Sequence, residues 1–406
     1  MNKLKIINDP IYGFINIPDP LIYDLIQHSY FQRLRRISQM GLSYMVYPGA
    51  MHTRFHHAIG AMHLMQTALN VLRFKEIEIT PEEEQAALIA ILLHDIGHGP
   101  FSHALEYGIL KDISHEDISL ALMKELNKEF EGKLELAIDI FKGNYPKKFL
   151  TELISSQLDV DRLDYLRRDS FYSGVIEGQV NSERLIKMMN VKDNRLVIDE
   201  KGIYSIEKFI ISRRLMYWQV YFHKTGLMFE KILEKALQRA KELINKGIEV
   251  PMDKNLHFLF TNKIQELDKE HLDIYTALDD SDITYHLKKW SKHSDFILSY
   301  LSEMIIERKH LNTLEISKEK IDKTYYNNIK SAVLKQFPIK KKDVSYLVFK
   351  DKIKHIAYEN KQKPILLLQK NGDLIEFSKA TDKMNISALS HPVKKYYISY
   401  PKLKNY

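Results

Sequence analysis

Histidine and aspartate residues are concentrated in the first half of the chain. Eight of the 17 histidines lie between residues 52 and 115. Two imidazoles and two carboxylates from this half form a ligand set that suits Mn, Fe, Zn, Ni or Mg: one histidine of the His56-His57 pair, His94, Asp95 and Asp161. An ion in such a site lowers the pKa of a bound water toward neutrality. Each residue alone would be read as a buried histidine or a solvated carboxylate, but the set predicts a metal-dependent hydrolytic site.

The helix that carries the His94-Asp95 doublet has the clearest boundaries in the sequence. Thr80-Pro81 and three following glutamates predict its start, and the apolar run AALIAILL leads to the doublet in its final turn. The negative end of the helix dipole favours a cation there. Gly97 and Gly99 let the backbone bend closely around a ligand. The doublet is therefore expected to face the metal ion.

Two more predicted helices carry polar stripes. Residues 149–168 and 206–224 have helical periodicity, and an (i, i+4, i+8) spacing places three side chains on one face of each: Asp161, Tyr165 and Asp169 on the first, with Arg162 beside them, and Arg213, Tyr217 and Tyr221 on the second. A solvated face and an aromatic core stripe explain such patterns equally well when they occur alone. Only their combination with the histidines suggests a substrate surface.

The remaining elements predict a mainly α protein. A helix is expected to begin near Phe55, and two small hairpins are expected at residues 195–206 and 364–377, the second with a turn at Asn371-Gly372-Asp373. We expect a core at residues 1–240, a helical extension at 241–320 and a small Lys- and Tyr-rich α/β region at 321–406.

Composition limits the class of protein. The chain has 406 residues, 45% of them hydrophobic, which is enough for a large buried core. It contains no cysteine, which excludes disulfides and thiolate ligands. The formal net charge of +7 suits a polyanionic ligand, but the lysines are spread along the C-terminal third. No apolar run approaches the length of a membrane span, so a soluble, cytoplasmic protein is expected.

Several segments, taken in order, resemble the HD-domain superfamily and, more narrowly, its deoxynucleoside triphosphate (dNTP) triphosphohydrolase branch. They cover roughly the first 225 residues and include INDPIYGFI, FQRLRRISQMG, YPGAMHTRFHHAIG, HDIGHGPFSH, LDVDRLDYLRRD and the stretch from Tyr221 to Lys224. The doublet alone is a weak signal, whereas the ordered series is a strong one. The resemblance implies an HD-domain helical core with small β-hairpins and a C-terminal α/β extension.

The resemblance also implies roles for individual residues. The pattern Arg-Phe-x-His selects His57 rather than His56 as the first metal ligand, beside His94, Asp95 and Asp161. His103 and Glu106 would form a catalytic dyad in which His103 protonates the leaving 5′ oxygen. His98 and His115 would approach the α-phosphate. The resemblance also implies a set of substrate-binding residues: Gln39, Met40, Arg54, Arg162, Tyr165, Asp169, Arg213 and Tyr221.

Within that substrate set, the arginines and Tyr165 would face the triphosphate, Gln39 and Asp169 would hold the sugar 3′-hydroxyl, and Met40 would crowd a 2′-hydroxyl. Two positions depart from the family pattern. Gln27 stands where vertebrate members of the family use an Asp to read guanine at a regulatory site. Phe222 stands where the family usually has a polar residue near the base. The base preference and the regulation of relatives therefore do not transfer directly to this chain.

The predicted function is hydrolysis of dNTPs at the α-phosphorus, releasing deoxynucleoside and inorganic triphosphate. One divalent ion is expected, with a further Mg possible on the nucleotide, and a homo-oligomer, dimer or tetramer, is expected. Another HD phosphohydrolase, such as a nucleoside monophosphatase or phosphodiesterase, is the nearest alternative. Residues 94–99 do not match the HDxxED of alarmone hydrolases, and the chain lacks a GYP element. A nucleic-acid-binding regulatory protein that uses the basic LKQFPIKKKD run is a third possibility.

Overall fold

The structure is a computed structural model of the chain. It describes residues 5–102, 113–264, 266–316, 323–356, 358, 364–381 and 393–404. The predicted dyad of His103 and Glu106 lies outside these residues. Within the described part of the chain, no helix has the length and apolar content that crossing a bilayer demands.

Helices dominate the described residues, which confirms the predicted fold class. The helices are α1 (Pro20–Gln27), α2 (Ser29–Gln32), α3 (Arg54–Phe74), α4 (Pro81–Leu93), α5 (His115–Glu129), α6 (Glu135–Phe141), α7 (Lys148–Ile154), α8 (Val160–Ser173), α9 (Ser182–Met188), α10 (Ile203–Met216), α11 (Lys224–Asn245), α12 (Lys254–Thr261), α13 (Lys269–Thr276), α14 (Asp280–Trp290), α15 (Phe296–Ile306), α16 (Lys323–Gln336) and α17 (Phe377–Ala380).

The strands form three small sheets. They are β1 (Lys5–Asp9), β2 (Gly13–Ile17), β3 (Met189–Lys192), β4 (Arg195–Asp199), β5 (Asn312–Ile316), β6 (Phe349–His355), β7 (Leu366–Leu368), β8 (Leu374–Glu376) and β9 (Val393–Tyr400). The first sheet pairs β1 with β2, the second has the order β3-β4-β7-β8, and the third has the order β5-β9-β6. Since β7 pairs in parallel with β4, the second sheet joins the C-terminal region to the helical core.

Helix α4 lies at the centre of this core. Its start follows the prediction, because Thr80 and Glu83 form a capping box: Thr80 N–H donates to Glu83 Oε2 at 2.8 Å, and Glu83 N–H donates to Thr80 Oγ1 at 3.2 Å. Every residue from Ala86 to Leu93 is buried, as expected of a helix covered on all sides. The helix ends at Leu93, so His94 is its cap and Asp95 follows in the next turn.

The predicted helix at residues 149–168 is two helices, α7 and α8. Residues 155–159 separate them, and the carboxylate of Asp159 accepts a hydrogen bond from Arg162 N–H at 2.8 Å to cap α8. The prediction of one helix was wrong because a serine pair and an acidic cap interrupt the apolar periodicity. Helix α8 then runs on to Ser173 and stops at Gly174, whose φ of 75° is left-handed.

Two further boundaries differ from the prediction. The stretch predicted as a helix at 206–224 is α10 followed by one π-helical turn, Tyr217–Tyr221, before α11 begins at Lys224. The hairpin predicted at 195–206 is wrong in its pairing. Strand β4 pairs instead with β3, through Asp193 and Asn194, which both have positive φ as a tight hairpin turn requires. The hairpin at 364–377 is confirmed as β7 and β8.

Helix α3 crosses α8 at close range, and this contact positions the candidate site. An added Cβ on Gly60 of α3 would lie 2.1 Å from both Arg168 Nη2 and Asp164 Oδ1. Only glycine allows the two side chains of α8 to lie against the α3 backbone. The carboxylate of Asp164 thereby reaches His57, one turn earlier on α3.

Candidate metal centre and substrate pocket

His57 is fully buried and is held in one orientation. Its Nδ1 lies 2.8 Å from Asp164 Oδ2. Arg168 donates to both oxygens of Asp164 at 2.9 Å and to Asp9 Oδ2 at 2.7 Å. Because an ionised carboxylate only accepts hydrogen bonds, we assign the imidazole proton to Nδ1. His57 Nε2 then presents a lone pair toward Asp161 Oδ1, 3.1 Å away.

His94 presents a second nitrogen to the same carboxylate. Its Nδ1 lies 2.6 Å from the carbonyl oxygen of Ile91, which can only accept, so the proton again belongs on Nδ1. Its Nε2 lies 3.5 Å from Asp161 Oδ1 and 3.4 Å from Asp95 Oδ1. Two imidazole nitrogens therefore face the carboxylate of Asp161, and the carboxylate of Asp95 lies beside them.

This arrangement fits a divalent cation. Neither Nε2 atom makes a well-directed hydrogen bond with any described residue, although both are buried. The ligand atoms of His57, His94 and Asp161 all lie within 4.8 Å of one another. Lone pairs that face a carboxylate repel it unless a positive charge lies between them, and nitrogen and oxygen donors of this kind suit a divalent metal. The cluster can hold such an ion.

The charges of the cluster are strongly coupled to one another. Without a metal ion, burial would lower the pKa of His57, but the carboxylates of Asp161 and Asp164 raise it to about 10. A bound ion would displace the proton that Nε2 then carries. Burial opposes ionisation of Asp161, yet the two histidines lower its pKa well below the usual range. For Asp95, burial is likewise outweighed by His94, His98 and Arg54, which lower its pKa. The site thus favours ionised acids next to positive charge.

Arg54 connects the cluster to the pocket above it. The first residue of α3, it is buried, and its guanidinium contacts Asp95 Oδ2. Its Nε and Nη2 donate to Ser102 Oγ at 3.1 and 3.0 Å. A guanidinium fixed in this way provides planar, permanently charged donors beside the metal ligands.

A second group of polar side chains adjoins the first. The rings of His98 and His115 stack with centroids 3.9 Å apart. His98 Nδ1 lies 3.5 Å from Asp95 Oδ1, and Asp95, His98 and His115 each offer a ligand atom within 4.8 Å of the others. Asp95 therefore belongs to both groups and lies between them.

A pocket of about 970 Å³ opens above these two groups. The face of α8 predicted to carry Asp161, Tyr165 and Asp169 lines it, beside Arg162. Arg162 Nε donates to the carbonyl oxygen of Ser156 at 2.8 Å and to Asp159 at 3.1 Å. Other predicted residues in the lining are Gln39, Met40, Arg54, Asp95, His98, His115 and Tyr221. The structure thus brings the predicted residues of six separate segments together.

Arg213, His57 and His94 do not line this pocket. Arg213 lies over the ring of Tyr217, with 5.7 Å between the guanidinium carbon and the ring centroid. Tyr217, the first residue of the π-helical turn, lines the pocket itself. His57 and His94 are buried beneath the pocket floor.

Several pocket residues were missed in the sequence. Asp164 and His52 contact predicted site residues. Helix α11 and strand β6 also line the pocket, through Glu230, Lys231 and the stretch from Asp351 to Lys354. Asp164 could have been found from its place within LDVDRLDYLRRD. Strand β6 carries no local signal, because only the tertiary fold brings it to the pocket.

Comparison with known proteins identifies the family of the chain. The HD domain family matches residues 54–169, and the HD associated region matches residues 180–253. An uncharacterized Bacillus subtilis protein, YwfO, is 35% identical over 335 residues, which cover 80% of this chain and 75% of that protein. The deoxynucleoside triphosphate triphosphohydrolase SAMHD1 homolog of Dictyostelium discoideum is 30% identical over 389 residues, which cover 85% of this chain and 74% of that protein.

A solved structure is similar along the full length. The crystal structure of a phosphohydrolase from Bacteroides thetaiotaomicron superimposes with a TM-score of 0.95 at 48% identity, covering 98% of this chain and 100% of that one. The match extends beyond the helical core into the C-terminal region that lines the pocket. The chain therefore belongs to the HD-domain superfamily, in the branch that includes the deoxynucleoside triphosphate triphosphohydrolases.

Proposed function

We propose that this HD phosphohydrolase hydrolyses deoxynucleoside triphosphates at the α-phosphorus and releases a deoxynucleoside and inorganic triphosphate. The observation that carries the proposal is the position of a histidine and aspartate cluster at the floor of a nucleotide-sized pocket lined by fixed arginines. The similarity to a dNTP triphosphohydrolase homolog agrees with this substrate class.

Four residues would hold the divalent ion: His57, His94, Asp95 and Asp161. When bound there, Mn, Fe, Mg, Zn or Ni would polarise a phosphate oxygen and lower the pKa of a water molecule. Asp164 accepts a hydrogen bond from His57 Nδ1–H. This contact would keep the lone pair of His57 Nε2 directed toward the ion. The Ile91 carbonyl does the same for His94.

Arg54 and Arg162 would bind the triphosphate. Each is held by other contacts at the pocket wall, so little side-chain entropy is lost when phosphate oxygens arrive. Fixed positive charge near the α-phosphorus stabilises the negative charge that develops during displacement. Tyr165, on the same face of α8 as Asp161, would donate its hydroxyl to a phosphate oxygen.

The leaving 5′ oxygen needs a proton. We assign this step to His103, with Glu106 three residues later orienting the imidazole, as the family resemblance implies. His98 and His115 lie beside Asp95 and would contact the α-phosphate. The variants His103→Ala and Glu106→Ala should each still bind the metal, and their turnover should fall by roughly 10²-fold. Full activity in both variants would overturn the assignment.

The sugar would lie between Gln39, Met40 and Asp169. Gln39 Oε1 is buried and has no hydrogen-bond partner among the described residues, so it can accept from a ligand. Asp169 lines the same pocket, and Met40 provides apolar bulk next to Gln39. A 3′-hydroxyl would donate its single proton to Asp169 and accept from the amide nitrogen of Gln39. A 2′-hydroxyl would be crowded by the thioether chain of Met40.

The test is a substrate panel with product identification. Purified protein with added Mn or Mg is incubated with the four dNTPs and four ribonucleoside triphosphates, and the products are separated by ion-exchange chromatography. We expect triphosphate and deoxynucleoside from the dNTPs, and loss of both metal and activity in His94→Ala. Release of orthophosphate alone, or of no product from any dNTP while another phosphoester is cleaved, would refute the proposal.

A further inference from the structure

One buried histidine outside the predicted site contacts both proposed sugar-binding residues. The ring of His52 has 0% exposed side-chain area, and its Nε2 lies 2.7 Å from Asp169 Oδ1. The backbone carbonyl of His52 accepts a hydrogen bond from Gln39 N–H at 3.0 Å. A single residue therefore fixes the carboxylate on one side of the pocket and the amide residue on the other.

The carboxylate of Asp169 is held at both oxygens. An ionised carboxylate accepts only, so His52 Nε2 carries the proton and donates it to Oδ1. Tyr221 donates its hydroxyl to Oδ2 at 2.7 Å. Each carboxylate oxygen has a second lone pair, so Asp169 can still accept from a ligand hydroxyl while both protein donors remain in place.

The imidazole of His52 has little freedom to move. It stacks on the ring of Tyr172, with centroids 4.4 Å apart and an angle of 15° between the planes. Tyr172 belongs to α8, three residues after Asp169, so the histidine packs against the same helix that carries its acceptor. This packing fixes the direction of the Nε2–H bond.

The backbone around His52 is equally constrained. Ser38 and Thr53 form an antiparallel bridge, and Arg54 N–H donates to the carbonyl oxygen of Ile37 at 2.9 Å. Together with the bond from Gln39, this pairs residues 37–39 with residues 52–54. The position of Gln39 in the pocket wall thus follows from that of His52 and of Arg54.

We propose that His52 is a positioning residue for recognition of the substrate's 3′-hydroxyl, because it sets the orientation of the Asp169 carboxylate relative to the Gln39 amide. The inference rests on the proposed function. In it, the hydroxyl donates its single proton to Asp169, and its oxygen accepts from the side-chain amide nitrogen of Gln39. His52 touches neither the hydroxyl nor the phosphates, and it acts only through Asp169 and Gln39.

The diagnostic variant is His52→Phe, which keeps a ring for stacking on Tyr172 but removes the donor to Asp169. Its kcat and KM are compared with those of wild type on a 2′-deoxynucleoside triphosphate and on the matching 2′,3′-dideoxynucleoside triphosphate. We expect kcat/KM on the deoxy substrate to fall by roughly 10- to 100-fold, the range for a lost hydrogen bond to a charged group. On the dideoxy substrate, the two proteins should differ less than threefold.

Matched variants separate positioning from folding. Tyr221→Phe removes the other donor to Asp169 and should give the same substrate-dependent loss. His52→Gln restores an N–H donor and should recover part of the selectivity for the 3′-hydroxyl. His63→Phe removes an imidazole that contacts Tyr12 outside the pocket, and it should change neither substrate's rate.

The outcomes distinguish the inference from the proposed function. Equal losses on both substrates in His52→Phe, or no loss on either, would overturn the positioning role while triphosphate release by wild type still supports the function. If His52→Phe does not fold, Tyr221→Phe and His52→Gln provide the test. A loss of kcat/KM confined to the deoxy substrate in Tyr221→Phe, smaller in His52→Gln, supports the positioning role. Equal losses on both substrates, or no loss on either, overturn it. Absence of triphosphate release by wild type would instead refute the function itself.

Discussion

At the scale of single residues, the most consequential contact is the bond between His57 and Asp164. It assigns the imidazole proton to Nδ1 and leaves Nε2 as the atom that faces Asp161. Asp164 is itself held by Arg168. Burial would raise the pKa of Asp164, but Arg168 and His57 outweigh it and lower the pKa to about 2. The Asp164 carboxylate is therefore ionised at neutral pH.

We predict that Asp164→Asn weakens metal binding. An asparagine amide no longer requires a proton on His57 Nδ1, so the imidazole can rotate or change tautomer, and loss of such outer contacts costs roughly 10- to 100-fold in affinity. Titration calorimetry with Mn²⁺ measures the effect after circular dichroism confirms folding. Asp199→Asn, which removes the partner of Lys75 away from the site, is the control. Unchanged affinity in folded Asp164→Asn would contradict the role.

Glu230 gives a pH-dependent prediction. Its side chain lines the pocket, whose walls desolvate the carboxyl although part of its surface stays exposed. Burial, followed by the charge of Asp351, raises the pKa of Glu230 from 4.5 to about 7. An acid whose pKa is higher in the folded state binds its proton more tightly there. Its contribution to stability is therefore largest at low pH and is lost as the pH rises from about 4.5 to about 7.

Glu230→Gln should remove this loss. The melting temperature of the variant minus that of wild type should increase between pH 4.5 and pH 7 and stay constant above it. Calorimetry of nucleotide-free protein measures the difference. In an Asp351→Asn background the increase should be smaller, because one source of the raised pKa is gone. A difference that does not change with pH would contradict the placement of Glu230.

At the scale of elements, the crossing of α3 and α8 decides whether the ligands can meet. Helix α3 carries His57, and α8 carries Asp161 and Asp164. Gly60 allows the contact, since a Cβ there would lie 2.1 Å from the side chains of Asp164 and Arg168. The helices cannot accommodate that atom without separating or displacing a buried ion pair.

Gly60→Ala should therefore destabilise the protein by roughly 3 kcal/mol, at the upper end of the cost of overpacking. Urea unfolding measures the change, and metal content should fall in parallel. Gly226→Ala is the matched control, because that glycine is helical and has no atom within 4 Å of an added Cβ. The control should be neutral or gain up to about 1 kcal/mol. Equal stability of the two variants would contradict the account of the crossing.

Much of the helical framework could be predicted from local chemistry. The start of α4 followed from Thr80, Pro81 and Glu83, and the stripe on α8 followed from the spacing of Asp161, Tyr165 and Asp169. Boundaries failed where short polar segments compete with helical periodicity, as at residues 155–159 and in the π-helical turn. The four predicted metal ligands lie together, whereas Asp164 was missed because a further acid on α8 looks like surface charge.

At the scale of the whole molecule, the C-terminal region helps to form the pocket. Strand β6 contributes Asp351 to Lys354 to the pocket lining, although no motif in the sequence assigned a functional residue to this region. Sequence alone could not show the contact, since β6 begins more than 100 residues after the end of α11 and has no motif. The three-domain division, the homo-oligomer, the cytoplasmic location and nucleic-acid binding stay predictions.

The lysines of β6 should assist substrate capture. Lys352 and Lys354 are exposed and line the pocket, so the double charge reversal Lys352→Glu/Lys354→Glu should raise KM for a dNTP several-fold at low ionic strength. The effect should shrink as salt is added, because the screening length falls to about 10 Å at 0.1 M. Initial rates over a salt series measure this.

Lys394→Glu provides the control for that series. It lies opposite Lys354 on the neighbouring strand β9, is exposed and does not line the pocket. Its KM should stay near that of wild type. An equal rise in KM for the control and the double variant would show that net charge, and not the wall of the pocket, controls substrate capture.

The proposed reaction is attack of water at the α-phosphorus within the His57, His94, Asp95 and Asp161 site. The most direct measurement is turnover of a dNTP in water enriched in the heavy oxygen isotope, with mass spectrometry of both products. We predict that the label appears in inorganic triphosphate and that the deoxynucleoside is unlabelled, because the bond from phosphorus to the 5′ oxygen breaks. Label in the deoxynucleoside, or in orthophosphate or pyrophosphate as the primary product, would contradict the account.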